Sequence, residues 1–239
     1  MTSFIDYGFD ANDRIRKNNE EMAKERERKR NLPRRFWLSK GESAQIILLD
    51  DTPACVWEYD VKVDGRFGNF FTCPKKETGK HSILDSYKDQ VQFNRHYIGF
   101  LTIIDCTEYT DKNGKKRFNT KKVLPITSQA LDRFKQYKKN RGTLVGAKFI
   151  VSRSNAEKAE RIGDTWDFIE KVDLSTILDS DGKPVDTTPA NYEELLKIRP
   201  ESEVISVIEK VIGKPVTAQS IGSYEEAPAV ATSESEVPF

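Results

Sequence analysis

The sequence predicts a mainly β chain: an OB-type antiparallel β-barrel with one inserted helix, a helical N-terminal arm, short C-terminal helices and a disordered acidic tail. Three observations carry this expectation. Five or six strand-like runs separated by turn residues lie between Arg34 and Asp173. One amphipathic helix falls before the last pair of strands, the order of a small closed sheet with a single insertion. Both ends of the chain are too polar to bury a core. With 239 residues, 32% of them charged, and a mean hydropathy of −0.64, part of the chain is expected to be arm and tail.

Residues 1–32 form the arm. RIRKNNEEMAKERERKRN carries i,i+4 pairs, Lys17–Glu21 and Glu20–Lys24, that favour a helix. Only Ile15, Met22 and Ala23 interrupt its polar run, too thin a stripe to bury. The arm is therefore expected to fold firmly only against something else, and it is a candidate surface for self-association. Pro33 ends it, and residues 33–176 form the expected domain.

AQIILLD (residues 44–50) and ACVWEYDVKV (residues 54–63) read as strands around the turn Asp51-Thr52-Pro53. Asp64-Gly65-Arg66 and FGNFFTC make a short hairpin that leads into Cys73. Residues 74–95 read as a polar excursion off the sheet. The central element is HYIGFLTIIDCTEYTDKNGKKRFNTKKVLPI, two strands joined at Asn113-Gly114, a dipeptide suited to a type I′ turn. Pairing outward from a two-residue turn sets Lys112 opposite Lys115 and Tyr109 opposite Phe118. Strand alternation puts Leu101, Ile103 and Asp105 on one face with Thr120, Lys122 and Leu124.

Thr127 or Ser128 caps the helix QALDRFKQYKKN, which turns Leu131 and Phe134 inward and ends at Gly142. Strands at residues 147–153 and 165–173 complete the domain. In the extension, residues 177–213, Asp179-Ser180-Asp181-Gly182 turns the chain away. Two short helices follow, broken at Pro200, the second with an apolar face that should dock. Residues 214–239 are rich in Ser, Ala, Glu and Pro and are expected to be disordered.

Net charge is only +1, but it is unevenly spread. Lys112–Lys148 holds twelve basic residues and one acid, Asp132, whereas Ile177–Phe239 holds twelve acids against five basic residues. A basic body with an acidic end points to a polyanionic partner. Three cysteines give no disulfide framework. No signal-peptide or membrane-length apolar run is present, so a cytoplasmic protein without membrane partners is expected.

Basic groups that reach phosphates, interleaved with rings that stack on bases, are what binding of a single strand requires. The candidates are Arg34, Arg35, Trp37, Lys62, Arg66, Phe70, Tyr109, Lys115, Lys116, Arg117, Phe118, Lys121 and Lys122. Either Phe36 or Trp37 must enter the core, and the sequence does not say which. The Tyr109–Phe118 pair also fits a cross-strand brace on an exposed hairpin. Structural zinc needs four ligands, usually including a short-range pair. Cys73 and His81, even with Asp85, fall short of that, so no cofactor is expected. Asp50, Asp51, Asp105, Glu108 and Asp111 could in principle gather around magnesium as in a nuclease. No nucleophile-elbow, P-loop or HExxH motif accompanies them, so no enzyme is expected.

The order PRRFWL, LDD, NFFTC, YIGFLTIID, EYTDKNGK, helix, GAKFIVSR resembles phage-encoded single-stranded DNA-binding proteins over roughly residues 33–175. The resemblance implies an OB-fold protein of replication, recombination and repair that coats exposed single strands in the host cytoplasm. Glu234, Glu236, Val237, Pro238 and Phe239 resemble the acidic, Phe-ending tails of such proteins. That implies recruitment of replication or recombination proteins and competition with DNA for the basic groove. Many relatives carry a zinc knuckle with a Cys-x-x-Cys pair, which the stretch after Cys73 lacks. RNA binding, a partner-recruiting adaptor and a divalent-metal nuclease remain the other readings.

Overall fold

The computed structural model describes residues 10–74 and 82–216. Their contacts divide into two compact units. One holds the described residues up to Val56 together with Tyr97–Lys197; the other holds Trp57–His96 and the described residues from Ile198 onward. The stretch read from sequence as one helical extension is thus shared between the units.

The chain is mainly β, with a mixed sheet of eight strands and a separate two-stranded ribbon. In the first unit, α1 (Asp10–Asn31) leads to β1 (Arg34–Arg35) and β2 (Ser43–Leu48). The second unit contributes β3 (Ala54–Val63, which begins in the first), β4 (Arg66–Thr72) and α2 (Ile83–Ser86). Then come β5 (Phe93–Asp105), β6 (Tyr109–Thr110), β7 (Lys116–Arg117), β8 (Thr120–Thr127), α3 (Ser128–Arg141), β9 (Ala147–Ser152) and β10 (Thr165–Lys171). A 3-10 turn at Leu174–Thr176, α4 (Tyr192–Leu195) and α5 (Glu201–Ile212) complete the elements.

The main path is β1-β8-β5-β2-β9-β10, with β3 attached to β4 and β5. The expected closed antiparallel barrel is corrected in two respects. The sheet is mixed, because β1 runs parallel to β8, and it is not closed into a barrel. The physical reason lies at β8, where the edge away from β5 is taken at Lys122 and Val123 by Arg34 and Arg35.

Burial explains the order. Phe36, Ile46, Leu48, Leu101, Leu124 and Phe149 form the main core of the first unit, under α3. Phe36 is the inward residue of its pair, and Trp37 stays 39% exposed. The helix has the anticipated ends: Thr127 Oγ1 accepts from the Ala130 amide, and Gly142 closes it at φ 76°. Ala130 and Phe134 face the core, while the Tyr137 hydroxyl donates to the Trp166 carbonyl at 3.2 Å. A second glycine is fixed by geometry rather than by capping. Gly146 lies at φ 81°, and a Cβ there would stand 2.7 Å from the Val172 carbonyl oxygen.

The second unit packs β3 and β4 with α2 and α5 around Tyr59, Val61, Leu84, Tyr87, Val204 and Ile208. The excursion read as polar is corrected from Ser82 on. Ser82 caps α2, and Ile83, Leu84, Tyr87 and Val91 are core residues. The arm is a 22-residue helix whose Ile15 and Met22 are exposed.

Candidate nucleic-acid interface

At the base of the central hairpin Leu101 faces Leu124, Ile103 faces Lys122 and Asp105 faces Thr120, which keeps the expected shared face but slides the pairs two residues from the register that a two-residue turn at Asn113-Gly114 sets. At the tip the expectation fails, since Tyr109 pairs with Arg117 and Thr110 with Lys116. Three residues, Cys106–Glu108, separate Asp105 from Tyr109 on one side, against two, Phe118 and Asn119, on the other. This is a one-residue bulge. Its cause is local: the Cys106 amide turns to the Gln45 carbonyl, the Thr107 amide donates to Asp105, and Asn119 takes φ 51°. The turn is likewise not the two-residue type. Asp111 and Lys115 close a three-residue loop in which Gly114 sits at φ 76° and Asn113 does not reach positive φ. The Asp111 carboxylate accepts from the Asn113 and Lys115 amides, which explains the longer loop.

A groove of about 1110 Å³ opens beside this hairpin. Arg34, Lys112, Arg117, Lys121 and Lys122 line it together with the ring of Tyr109. Asp111, Asp186 and Glu194 are its acidic lining. Tyr109 is 46% exposed and Phe118 is half-buried. Arg35 lies over the Phe100 ring at 4.9 Å, and Arg161 over Trp37 at 5.7 Å.

The cations are paired to a degree that sequence reasoning missed. Lys115 and Arg117 both bind Asp181, Arg117 at 3.1 Å. Arg117 also reaches Asp111 at 3.1 Å, and Lys116 reaches Glu108 at 2.7 Å. Lys121 binds Asp186 at 2.8 Å, and Lys122 binds the nearly buried Asp105 at 2.5 Å. Hydrogen bonds from Lys121 and Thr188 hold the Asp186 carboxyl down at about 2. Those from Lys115 likewise lower Asp181. The signal for these partners was present in Asp179-Ser180-Asp181-Gly182, which reads locally as a turn; nothing local says where the turn docks.

The candidates do not all meet. Lys62, Arg66 and Phe70 belong to the second unit, where Lys62 lies 5.8 Å over the Phe67 ring and bonds Gln92 at 3.1 Å. That unit also holds an unanticipated pair, Arg95 over the 40%-exposed Trp57 at 5.0 Å. Cys73 is buried and its thiol donates to the Tyr59 hydroxyl, which bonds Asp85. His81 and the tail residues Glu234, Glu236, Val237, Pro238 and Phe239 lie outside the described residues.

The five carboxylates considered for a metal each have a separate task. Asp50 accepts from Tyr192 and the Thr102 amide, and Asp51 binds Lys138. Asp105, Glu108 and Asp111 serve Lys122, Lys116 and Arg117. Among the described residues no group of three His, Cys, Asp or Glu side chains could hold a metal ion, and no helix is long and apolar enough to cross a membrane. No protein-family model matches this chain, and no curated protein is detectably similar to it.

Proposed function

We propose that the chain binds and coats single-stranded DNA, largely without regard to sequence, along the groove beside the hairpin. The observation that carries this is the convergence of Arg34, Lys112, Arg117, Lys121 and Lys122 with the exposed ring of Tyr109 on one groove. Cations neutralise phosphates with release of counterions, and a ring stacks on any base. The strand order β8-β5-β2-β9-β10, with α3 between β8 and β9, supports an OB-type reading. It is the order such a barrel has when its third and fifth strands part. The resemblance to phage single-strand binders supports a role in replication, recombination or repair within the host cytoplasm. The acidic stretch that holds Glu234 and Glu236 would recruit partner enzymes.

A second reading, a partner-recruiting adaptor, is favoured by one observation: Lys115, Arg117, Lys121 and Lys122 already hold carboxylates. Electrophoretic shift with oligo-dT, oligo-U and duplex DNA separates the readings. Preference for oligo-dT supports the proposal. Equal or tighter oligo-U binding turns it to RNA, and no shift with any of them leaves the adaptor.

A further inference from the structure

Of the carboxylates beside the hairpin, one differs in kind from the rest. Asp105 and Asp111 build the hairpin itself, since each accepts backbone amides as well as a cation. Asp181 has no such role among its bonds: one oxygen takes Lys115 and the other Arg117. Asp186 divides its oxygens as Asp111 does, Oδ1 to the Thr188 amide and hydroxyl and Oδ2 to Lys121, but it lies outside the hairpin. Both belong to one strap that crosses the hairpin between fixed ends. Ile177 is buried before it, and the Ala190 amide donates to Thr102 after it at 2.8 Å. Asn119 holds the strap's near end through the Leu178 carbonyl at 2.8 Å.

We propose that the Asp186 carboxylate, in the groove, and the Asp181 carboxylate, held beside it on the lining residue Arg117, stand at two phosphate subsites, and that a polynucleotide enters by exchanging its phosphates for them. The proposal rests on the single-strand reading above and assigns positions within that site. The chemistry matches: an anion shared by a guanidinium and an ammonium is the donor set that charge-assisted phosphate binding uses. The strap itself stays in place, because its anchors are outside the exchanged contacts. Only carboxylate side chains turn away, and Asp186 is already 66% exposed. The two subsites are Lys115 with Arg117, and Lys121.

The test is binding of fluorescein-labelled oligo-dT by the full chain across a salt series. It compares wild type with Asp181→Asn, Asp186→Asn, the double variant and Glu193→Gln, an exposed charge of the same segment that makes none of these pairs. At about 50 mM salt the double variant should bind about five- to tenfold tighter, as expected for a few exposed ion pairs removed from competition. Glu193→Gln should change little. The gain should shrink as screening grows, so the double variant's log–log salt slope steepens by up to about 0.7 for each carboxylate. Unchanged or weaker binding by the double variant, or an equal gain from Glu193→Gln, overturns the exchange while leaving the single-strand reading standing. If neither wild type nor double variant binds oligo-dT at low salt, the single-strand reading itself fails. A melting curve on each variant separates lost folding from lost binding.

Discussion

The phenol of Tyr192 donates to the half-buried carboxylate of Asp50 across 2.6 Å, and the Thr102 hydroxyl lies 2.7 Å from the same phenolic oxygen. Burial raises the Asp50 carboxyl above its usual range, and the Tyr192 and Thr102 hydrogen bonds work against that rise. Through this triad the end of the strap is tied to the loop after β2 and to β5. Tyr192→Phe removes the donor and leaves a carboxylate underserved. Urea unfolding should show a loss of about 1–3 kcal/mol.

Lysines that look alike in sequence should differ in stability measurements. Lys122 pairs with Asp105, whose side chain is only 5% exposed, whereas Lys116 and Glu108 are both mostly in water. Lys122→Ala strands a buried charge and should cost about 3 kcal/mol or more. Lys116→Ala should leave the denaturation midpoint almost unchanged. Equal midpoints in denaturant would contradict this.

The two rings of the tip separate binding from bracing. Tyr109 is exposed and faces Arg117, so Tyr109→Ala should weaken oligo-dT binding by about 1–3 kcal/mol with little change in melting temperature. Phe118 is half-buried, and Phe118→Ala should lower the melting temperature more than it lowers affinity per folded molecule.

Asp186 gives a pH signature. Its carboxyl is at about 2 in the folded chain, chiefly through the Lys121 hydrogen bond. A carboxylate depressed by folding stabilises the fold above its unfolded value near 4 and loses that contribution as pH falls through the folded value. The difference in melting temperature between wild type and Asp186→Asn should therefore hold from pH 7 to about 5. It should close between about pH 4 and 2. A difference that grew on acidification would have the wrong sign.

The Cys106 thiol should label more slowly than its partial exposure alone would suggest. Burial raises it to about 11 from an ordinary 9.0, with nearby Lys148 opposing. At pH 8 its thiolate fraction falls about a hundredfold, and labelling should slow to match. Mass spectrometry after brief alkylation reads this directly.

What the sequence made legible was what neighbouring residues decide. The helix from its Thr127 cap to Gly142, and the face that Leu101, Ile103 and Asp105 share with Thr120, Lys122 and Leu124, follow from spacing and side-chain type. The groove's cations were legible for the same reason, as a run of charge. Their partners were not, because Asp181 and Asp186 lie some sixty residues further along and meet Lys115 and Lys121 only through the fold. Closure of the sheet was equally out of reach. Whether β8 keeps a free edge depends on Arg34 and Arg35, two residues that read as the start of a domain. Residues around Leu84 and Tyr87 were hidden by their polar neighbours, and it is the apolar face of α5 that covers them.

The bulge at Cys106–Glu108 makes the tip sensitive to chain length rather than to chemistry. A variant lacking one of those three residues would carry an uninterrupted ladder from Ile98 to Thr110. Alternation from Asp105 would then bring the Tyr109 ring to the side of Thr102 and Ile104. An insertion or deletion there redirects the ring and every cation of the tip at once, a change that no substitution scan of the hairpin would sample.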